Sequence, residues 1–187
     1  FTFDGLAALY TLLASGIGIG VLVYSLRYLP LHLHHEDRSP AAGVRFYAFL
    51  LLFMAAMLGT VAAQDLILLF LFWDVTAIAS YFLIGLDQFK PEARPPAVTG
   101  VSSVLFIIAA AILYADYGTF SLPALIEQVE PGPRVTTAAA LIAVAGLAKS
   151  AQVPLHFWLP RAMVAPAPVS AYLHSAAMVA AGVFLLG

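Results

Sequence analysis

The 187-residue chain contains no cysteine, and only 10% of its residues are charged. Without thiols there is no disulfide framework, no thiolate metal site, no iron–sulfur cluster and no cysteine nucleophile. The scarcity of charge excludes more. Soluble domains carry about 25% charged residues, so 8 Lys and Arg with 10 Asp and Glu are too few to cover a water-exposed surface of this length. The net charge of −2 also lacks the basic excess of a nucleic-acid binder. No glycine-rich phosphate loop, GxSxG elbow or HExxH pair is present, so the sequence implies no cofactor, no metal and no catalytic constellation. What the chain has in abundance is apolar length, with 63% hydrophobic residues against about 45–50% in ordinary globular domains. It is a chain for a bilayer.

A spanning helix needs about 20 predominantly apolar residues. The sequence predicts an all-α integral membrane fold with six such helices, near 5–29, 44–63, 65–86, 97–117, 135–163 and 168–187. Breaks are expected at 30–43, at Gln64 and Asp65, and at 87–96, 118–134 and 160–167, where proline, glycine and polar residues gather. Within 118–134, the stretch 122–129 reads either as a short interfacial helix capped by Ser121, with Pro123 in its first turn, or as a bare loop. Phe1 to Pro30 is expected to be a membrane helix rather than a secretory signal, since the first charge is Asp4 where a positive region should stand. Starting at Phe1 and stopping at Gly187 inside an apolar run, the chain reads as a piece of a longer protein.

Orientation follows from basic residues near the span ends. With six spans, the segments after the first, third and fifth share one face, and they or their flanks carry Arg27, Arg38, Arg45, Lys90, Arg94 and Arg161. The opposite face has only Arg134, and Lys149 lies inside a span. The sequence therefore predicts a multi-pass protein of the cell's inner (plasma) membrane, with the basic loops 30–43, 87–96 and 160–167 cytoplasmic.

The fifth span is too long for one straight crossing and holds Pro154 in its interior. Proline removes a backbone donor and clashes with the preceding turn, so a discontinuity is expected there. Broken helices in a membrane are tolerated where they are buried in protein or line a wet cavity, and they often mark transport sites.

Three polar residues stand out within the spans: Asp74 near the middle of the third, Lys149 near the middle of the fifth and His174 in the sixth. A charge at the bilayer centre costs about 2.5–3.5 kcal/mol on insertion scales, so such residues usually face a bundle interior and a function. Asp74 and Lys149 have opposite charge and similar depth, which makes them natural partners. Ala145 and Gly146 share a face with Lys149 and leave room for a neighbouring helix or for water. Tyr81 lies two turns beyond Asp74, and Ser170 one turn before His174, so each face carries a second hydrogen-bonding group. A lysine whose charge is held by a nearby carboxylate can switch between keeping and releasing a proton as that distance changes, and histidine can pass a proton between its two ring nitrogens. Acid, base and relay at one depth suit a proton path. A structural ion pair with a hydrogen-bonded core histidine is the plainer alternative. His32, His34, His35 and Glu36 form a histidine-rich loop that reads as solvated before it reads as metal-binding, and Phe157, Trp158 and Tyr28 read as interfacial or packing aromatics.

The run 148–163 (AKSAQVPLHFWLPRAM) and the run 165–179 (APAPVSAYLHSAAMV), followed by Ala181 and Gly182, resemble the proton-conducting antiporter subunit family. That family comprises the large subunits of Mrp-type sodium/proton antiporters, the antiporter-like subunits of respiratory complex I and membrane subunits of related hydrogenases. The run 72–85 (FWDVTAIASYFLIG) is similar to the family's other distinctive helix, and the residues around His174 are most similar to the A subunit of Mrp antiporters. The resemblance implies two inverted five-helix repeats in a larger core. Residues 5–29 would be a helix preceding the first repeat, and 44–187 that repeat, truncated at its C-terminus, in a single transmembrane domain. It implies a proton path through Asp74, Lys149 and His174, supported by Tyr81, Ser150, Pro154 and Ser170. It further implies transport coupled to export of a monovalent cation, sodium, in a multisubunit complex. The chain's partners would be the other subunits, the lipid bilayer, protons and sodium, with no nucleic acid. The alternatives are a proton-pumping subunit of a complex I-like or hydrogenase assembly, which alone would make it part of an enzyme, and a non-conducting structural subunit. Asp74 stands where the family usually has Glu. Val164, Ala167, Ala177 and Ala180 stand where the Mrp A subunit commonly has Glu, Thr, Thr and Lys.

Overall fold

The computed structural model describes residues 5–35, 39–85, 98–163, 165–174 and 178–186. Every named element among them is helical. In chain order these are α1 (Gly5–His35), α2 (Pro40–Ala62), α3 (Leu66–Ile84), α4 (Val98–Tyr117), α5 (Leu122–Gln128), α6 (Pro133–Lys149), α7 (Trp158–Ala162), α8 (Ala167–Tyr172) and α9 (Met178–Leu186), with a 3-10 turn at Leu155–Phe157 before α7. Four helices among the described residues are long and apolar enough to cross a membrane: Gly5–His35, Ala41–Ala62, Leu66–Ile84 and Gly100–Tyr117. The expected fifth span is divided between α6 and α7, and the expected sixth between α8 and α9. The expected break at 87–96, with Lys90 and Arg94, lies outside the described residues, as do Asp4, Glu36, Arg38, Val164 and Ala177.

The first expected boundary needs correction. α1 does not stop before Pro30 but runs through it to His35, so His32, His34 and His35 are helical rather than part of a loop. Packing overrides the proline: Leu29 is buried, and it and Leu33, one turn on, lie against Gly43 near the start of α2. Tyr24, Tyr28 and His32 stack successively along the same helix. α2 begins at Pro40 rather than at 44, because a proline in the first turn gives up only a donor that had no helical partner. The segment 122–129 resolves as the helix α5, with Ser121 as its N-cap residue and Pro123 in its first turn.

Asp65 starts α3. Its carboxylate accepts the backbone N–H groups of Ile67 and Leu68 at 2.9 and 3.2 Å, satisfying donors that a helix start leaves open. A short antiparallel bridge then ties this start to the loop before α5, through Leu66 N–H to the Phe120 carbonyl and Leu122 N–H to the Gln64 carbonyl, each at 2.9 Å. At the far end of α4, Asp116 pairs with Arg134 at the start of α6.

Two apolar clusters share α3. One gathers residues from α1, α2, the later turns of α3, and α7 to α9, including Phe53, Trp73, Trp158 and Tyr172. The other joins the first turns of α3 to α4, α5 and α6 around Leu66, Phe106 and Ala138. Trp73 stacks on Phe106, with ring centroids 5.8 Å apart, and so links the two. α8 is anchored to α1 by the buried Tyr172, whose hydroxyl donates to the Ala14 carbonyl at 2.9 Å.

α6 ends in the middle of the apolar chain. The Ala151 N–H donates to the Ala148 carbonyl at 3.3 Å and the Gln152 N–H to the Leu147 carbonyl at 3.0 Å, a pair of reversed bonds that closes a helix end. Such a closure needs a left-handed residue, and Ala151 supplies it at φ +53° without being glycine. Trp158, fully buried, donates its indole N–H to the Ala148 carbonyl at 2.9 Å, so α7 itself caps the broken end. α9 packs against the last turns of α6 backbone to backbone. A Cβ on Gly182 would run into the Gly146 carbonyl and come within 2.7 Å of the Ser150 nitrogen. Small residues at such crossings let membrane helices approach closely.

Two outcomes follow for the full-length protein in detergent. Gly182→Ala forces a methyl against backbone that cannot yield. It should destabilise by about 1–3 kcal/mol, read as a lower melting temperature, whereas Gly20→Ala, with open space around it, should not; equal melting of the two would contradict this packing. Ala151→Gly should raise stability by about 1 kcal/mol, because glycine takes a left-handed φ without the Cβ penalty. A fall in melting temperature would contradict that.

Candidate functional site

Lys149 is the last residue of α6, and its side chain is 0% exposed. A buried ammonium must find acceptors inside the protein. Nζ donates to the Trp73 carbonyl and to the Thr76 hydroxyl, both at 2.6 Å, and stands 4.0 Å from the centroid of the Trp73 ring. Thr76 also donates its hydroxyl to the Trp73 carbonyl at 2.7 Å. Ammonium, hydroxyl and carbonyl thus close a three-membered hydrogen-bonded ring under an aromatic face, and a ring face attracts a cation. The position at a helix C-terminus adds the favourable field of the open carbonyls there.

The local sequence builds this cradle. On α3 the buried positions Leu66, Leu69, Trp73, Thr76, Ser80 and Leu83 recur at three and four residues, so Trp73 and Thr76 share the inward face. On α6, Ala145 and Gly146 are buried beside Lys149, and the expected room there is filled by α9. Ser150 turns its hydroxyl back to the Gly146 carbonyl at 2.7 Å, satisfying the last turn before the break. Pro154, exposed, lies beyond the left-handed turn at Ala151 and immediately before the 3-10 turn.

Asp74 follows Trp73 and is half-buried, turned toward α4 rather than into the cradle. Its Oδ1 accepts the Ser103 hydroxyl at 2.7 Å. Among the described residues no salt bridge joins Asp74 to Lys149. The two sequence-predicted charges lie on different helices, each hydrogen-bonded to a hydroxyl.

The other expected residues sit apart. His174 lies in a widened, π-type turn between α8 and α9, a local irregularity that often accompanies function. Its Nε2 has no partner among the described residues. The Ser170 hydroxyl goes to the Ala165 carbonyl at 3.2 Å. Tyr81 is 43% exposed, with its ring edge on Phe82, outside the cradle. Among the described residues no group of three or more His, Asp or Glu could hold a metal.

Trp73, Thr76 and Ser103 are the site residues that a reading by charge misses. A signal for Thr76 and Trp73 is present, since both flank Asp74 and lie three apart on the apolar face. Ser103 has a weaker one, as one of two serines together in an otherwise apolar run.

Comparison with known proteins shows the family to which the chain belongs. The family described as "NADH:quinone oxidoreductase/Mrp antiporter, TM" matches residues 63–187, a stretch that contains Asp74, Lys149 and His174. The chain is 41% identical over 191 residues to a probable K(+)/H(+) antiporter A/B subunit of Rhizobium meliloti (strain 1021), covering 98% of this chain and 18% of that protein. It is 39% identical to the A subunit of a Na(+)/H(+) antiporter of Alkalihalophilus pseudofirmus, covering 98% of this chain and 23% of the relative. In three dimensions it is similar to a chain in the structure of the Mrp complex from Dietzia sp. DQ12-45-1b, with a TM-score of 0.82 and 40% identity, over 98% of this chain and 20% of that one. The chain thus spans about a fifth of the length of the proteins it matches. A chain that is helical in every named element among the described residues, has a lysine buried at a broken helix and is matched over 98% of its length in this way belongs to the NADH:quinone oxidoreductase/Mrp antiporter transmembrane family.

Proposed function

We propose that this chain is the proton-conducting part of the A subunit in a multisubunit Mrp-type cation/proton antiporter, in which inward proton movement drives export of a monovalent cation, sodium in our reading. The observation that carries the proposal is Lys149, a fully buried amine at the end of a broken helix, with its hydrogen bonds going to a carbonyl and a hydroxyl rather than to a counter-ion. A lysine whose only role was to specify packing would be expected to be closed against the carboxylate beside it, because an unpaired buried charge is costly. Lys149 instead keeps Asp74 as a neighbour it can approach.

In this mechanism Lys149 holds and releases the proton, and Asp74 sets how firmly it is held. His174 is the next carrier, reached through water, and its Nε2, without a partner among the described residues, offers a place for a proton or a water to attach. Ser150 and the break before Pro154 shape the end of α6, with Ser170 one turn before His174 and Tyr81 at the margin. The likeness to antiporter subunits of other bacteria favours the antiporter over the complex I-like alternative within the same family. We infer six crossings, with the truncated first five-helix repeat from 44 onward following the helix that begins at Gly5. The basic segments 30–43, 87–96 and 160–167 lie on the cytoplasmic side of the plasma membrane in this reading.

Proton flux through the parent complex in sealed vesicles tests it. Lys149→Ala and Asp74→Asn should each reduce flux at least about tenfold while the complex stays assembled, the order expected when a residue that exchanges protons is removed. Native flux and cation exchange in both variants would make this chain a scaffold.

A further inference from the structure

Opposite charges attract more strongly where the dielectric is low. Asp74 and Lys149 nevertheless stand apart, so each must be held by something. The holding groups include two hydroxyls from different places in the fold, beside the Trp73 carbonyl that also accepts from Nζ. On α4, the largely buried Ser103 donates to Asp74 Oδ1 at 2.7 Å. On α3, the fully buried Thr76 accepts from Lys149 Nζ at 2.6 Å and is fixed in turn by its own bond to the Trp73 carbonyl.

We propose that Ser103 and Thr76 are positioning residues that form a two-hydroxyl latch, holding the Asp74 carboxylate and the Lys149 ammonium apart until transport brings them together. Neither touches the transported cation; each acts through the charged residue it holds. The inference rests on the reading that Asp74 and Lys149 serve the proton path. Hydrogen bonds to charged groups are worth more than neutral ones, and losing one shifts the balance between the separated and the paired arrangement about tenfold or more. Both groups have freedom to move: Asp74 is only half-buried, and lysine carries its charge on a flexible four-carbon stem. The latch matters because a cycle needs both arrangements. With one hydroxyl removed, the pair closes, the proton is trapped and turnover slows.

The test uses the assembled complex in sealed vesicles, with sodium-dependent proton flux as readout, comparing Ser103→Ala and Thr76→Val with Ser103→Thr and Thr76→Ser. The first two should lose about tenfold in maximal rate with an unchanged KM for sodium, and the hydroxyl-retaining variants should recover most of it. A structure of the Ser103→Ala complex should show the carboxylate within salt-bridge distance of Nζ. Native rates in Ser103→Ala and Thr76→Val would overturn the latch, as would Ser103→Thr and Thr76→Ser variants as slow as the hydroxyl-free ones. Lys149→Ala, run beside them, separates the two claims. If it abolishes flux while the hydroxyl variants run at the native rate, the latch falls and the proton path stands. If it leaves flux native, both fall.

Discussion

The structure depends on how one ammonium is accommodated in an apolar interior. A charge at the centre of a bilayer costs several kcal/mol unless the protein supplies partners. Around Lys149 the partners are a carbonyl, a hydroxyl and an aromatic face, all presented by α3. This single requirement explains why Trp73 and Thr76 are fully buried and why α3 sits between both apolar clusters.

The break after Lys149 is a built feature rather than a defect left by proline. Its carbonyls are taken by the N–H groups of Ala151 and Gln152, by the Trp158 indole and by the Ser150 hydroxyl. Backbone interrupted inside a membrane protein must be satisfied in some such way. The glycine contact between α6 and α9 holds the same turn from the other side. Lys149 is therefore confined by three elements: α3 at its tip, α7 at its backbone, and α9 one turn back.

Much of this is legible in the sequence. The apolar runs mark the long helices, the length of the fifth run with Pro154 marks its discontinuity, and isolated charges in apolar surroundings mark Asp74, Lys149 and His174. The residues around them are harder to read. A backbone carbonyl such as that of Trp73 carries no sign in the letter sequence that it will accept from a lysine 76 residues away. Opposite charges at equal depth suggest a closed pair, and nothing in the letters reveals that Ser103 and Thr76 hold the two apart. Pro30 reads by its local chemistry as a stop, whereas Leu29 and Leu33 packing on α2 carry the helix through it. Tyr81 falls on the expected side of α3 by spacing alone, yet its ring ends on Phe82 near the surface.

The central claim is that the Lys149 amine gains and loses a proton during transport. Infrared difference spectroscopy on the complex, made with lysine labelled with nitrogen-15 at Nζ, reads this directly when a proton gradient is imposed. Lys149→Ala supplies the blank that assigns the band. The account predicts an isotope-sensitive ammonium signal that changes with the gradient and is missing from the blank. A lysine signal that does not respond to the gradient, in a complex that is transporting, would contradict it.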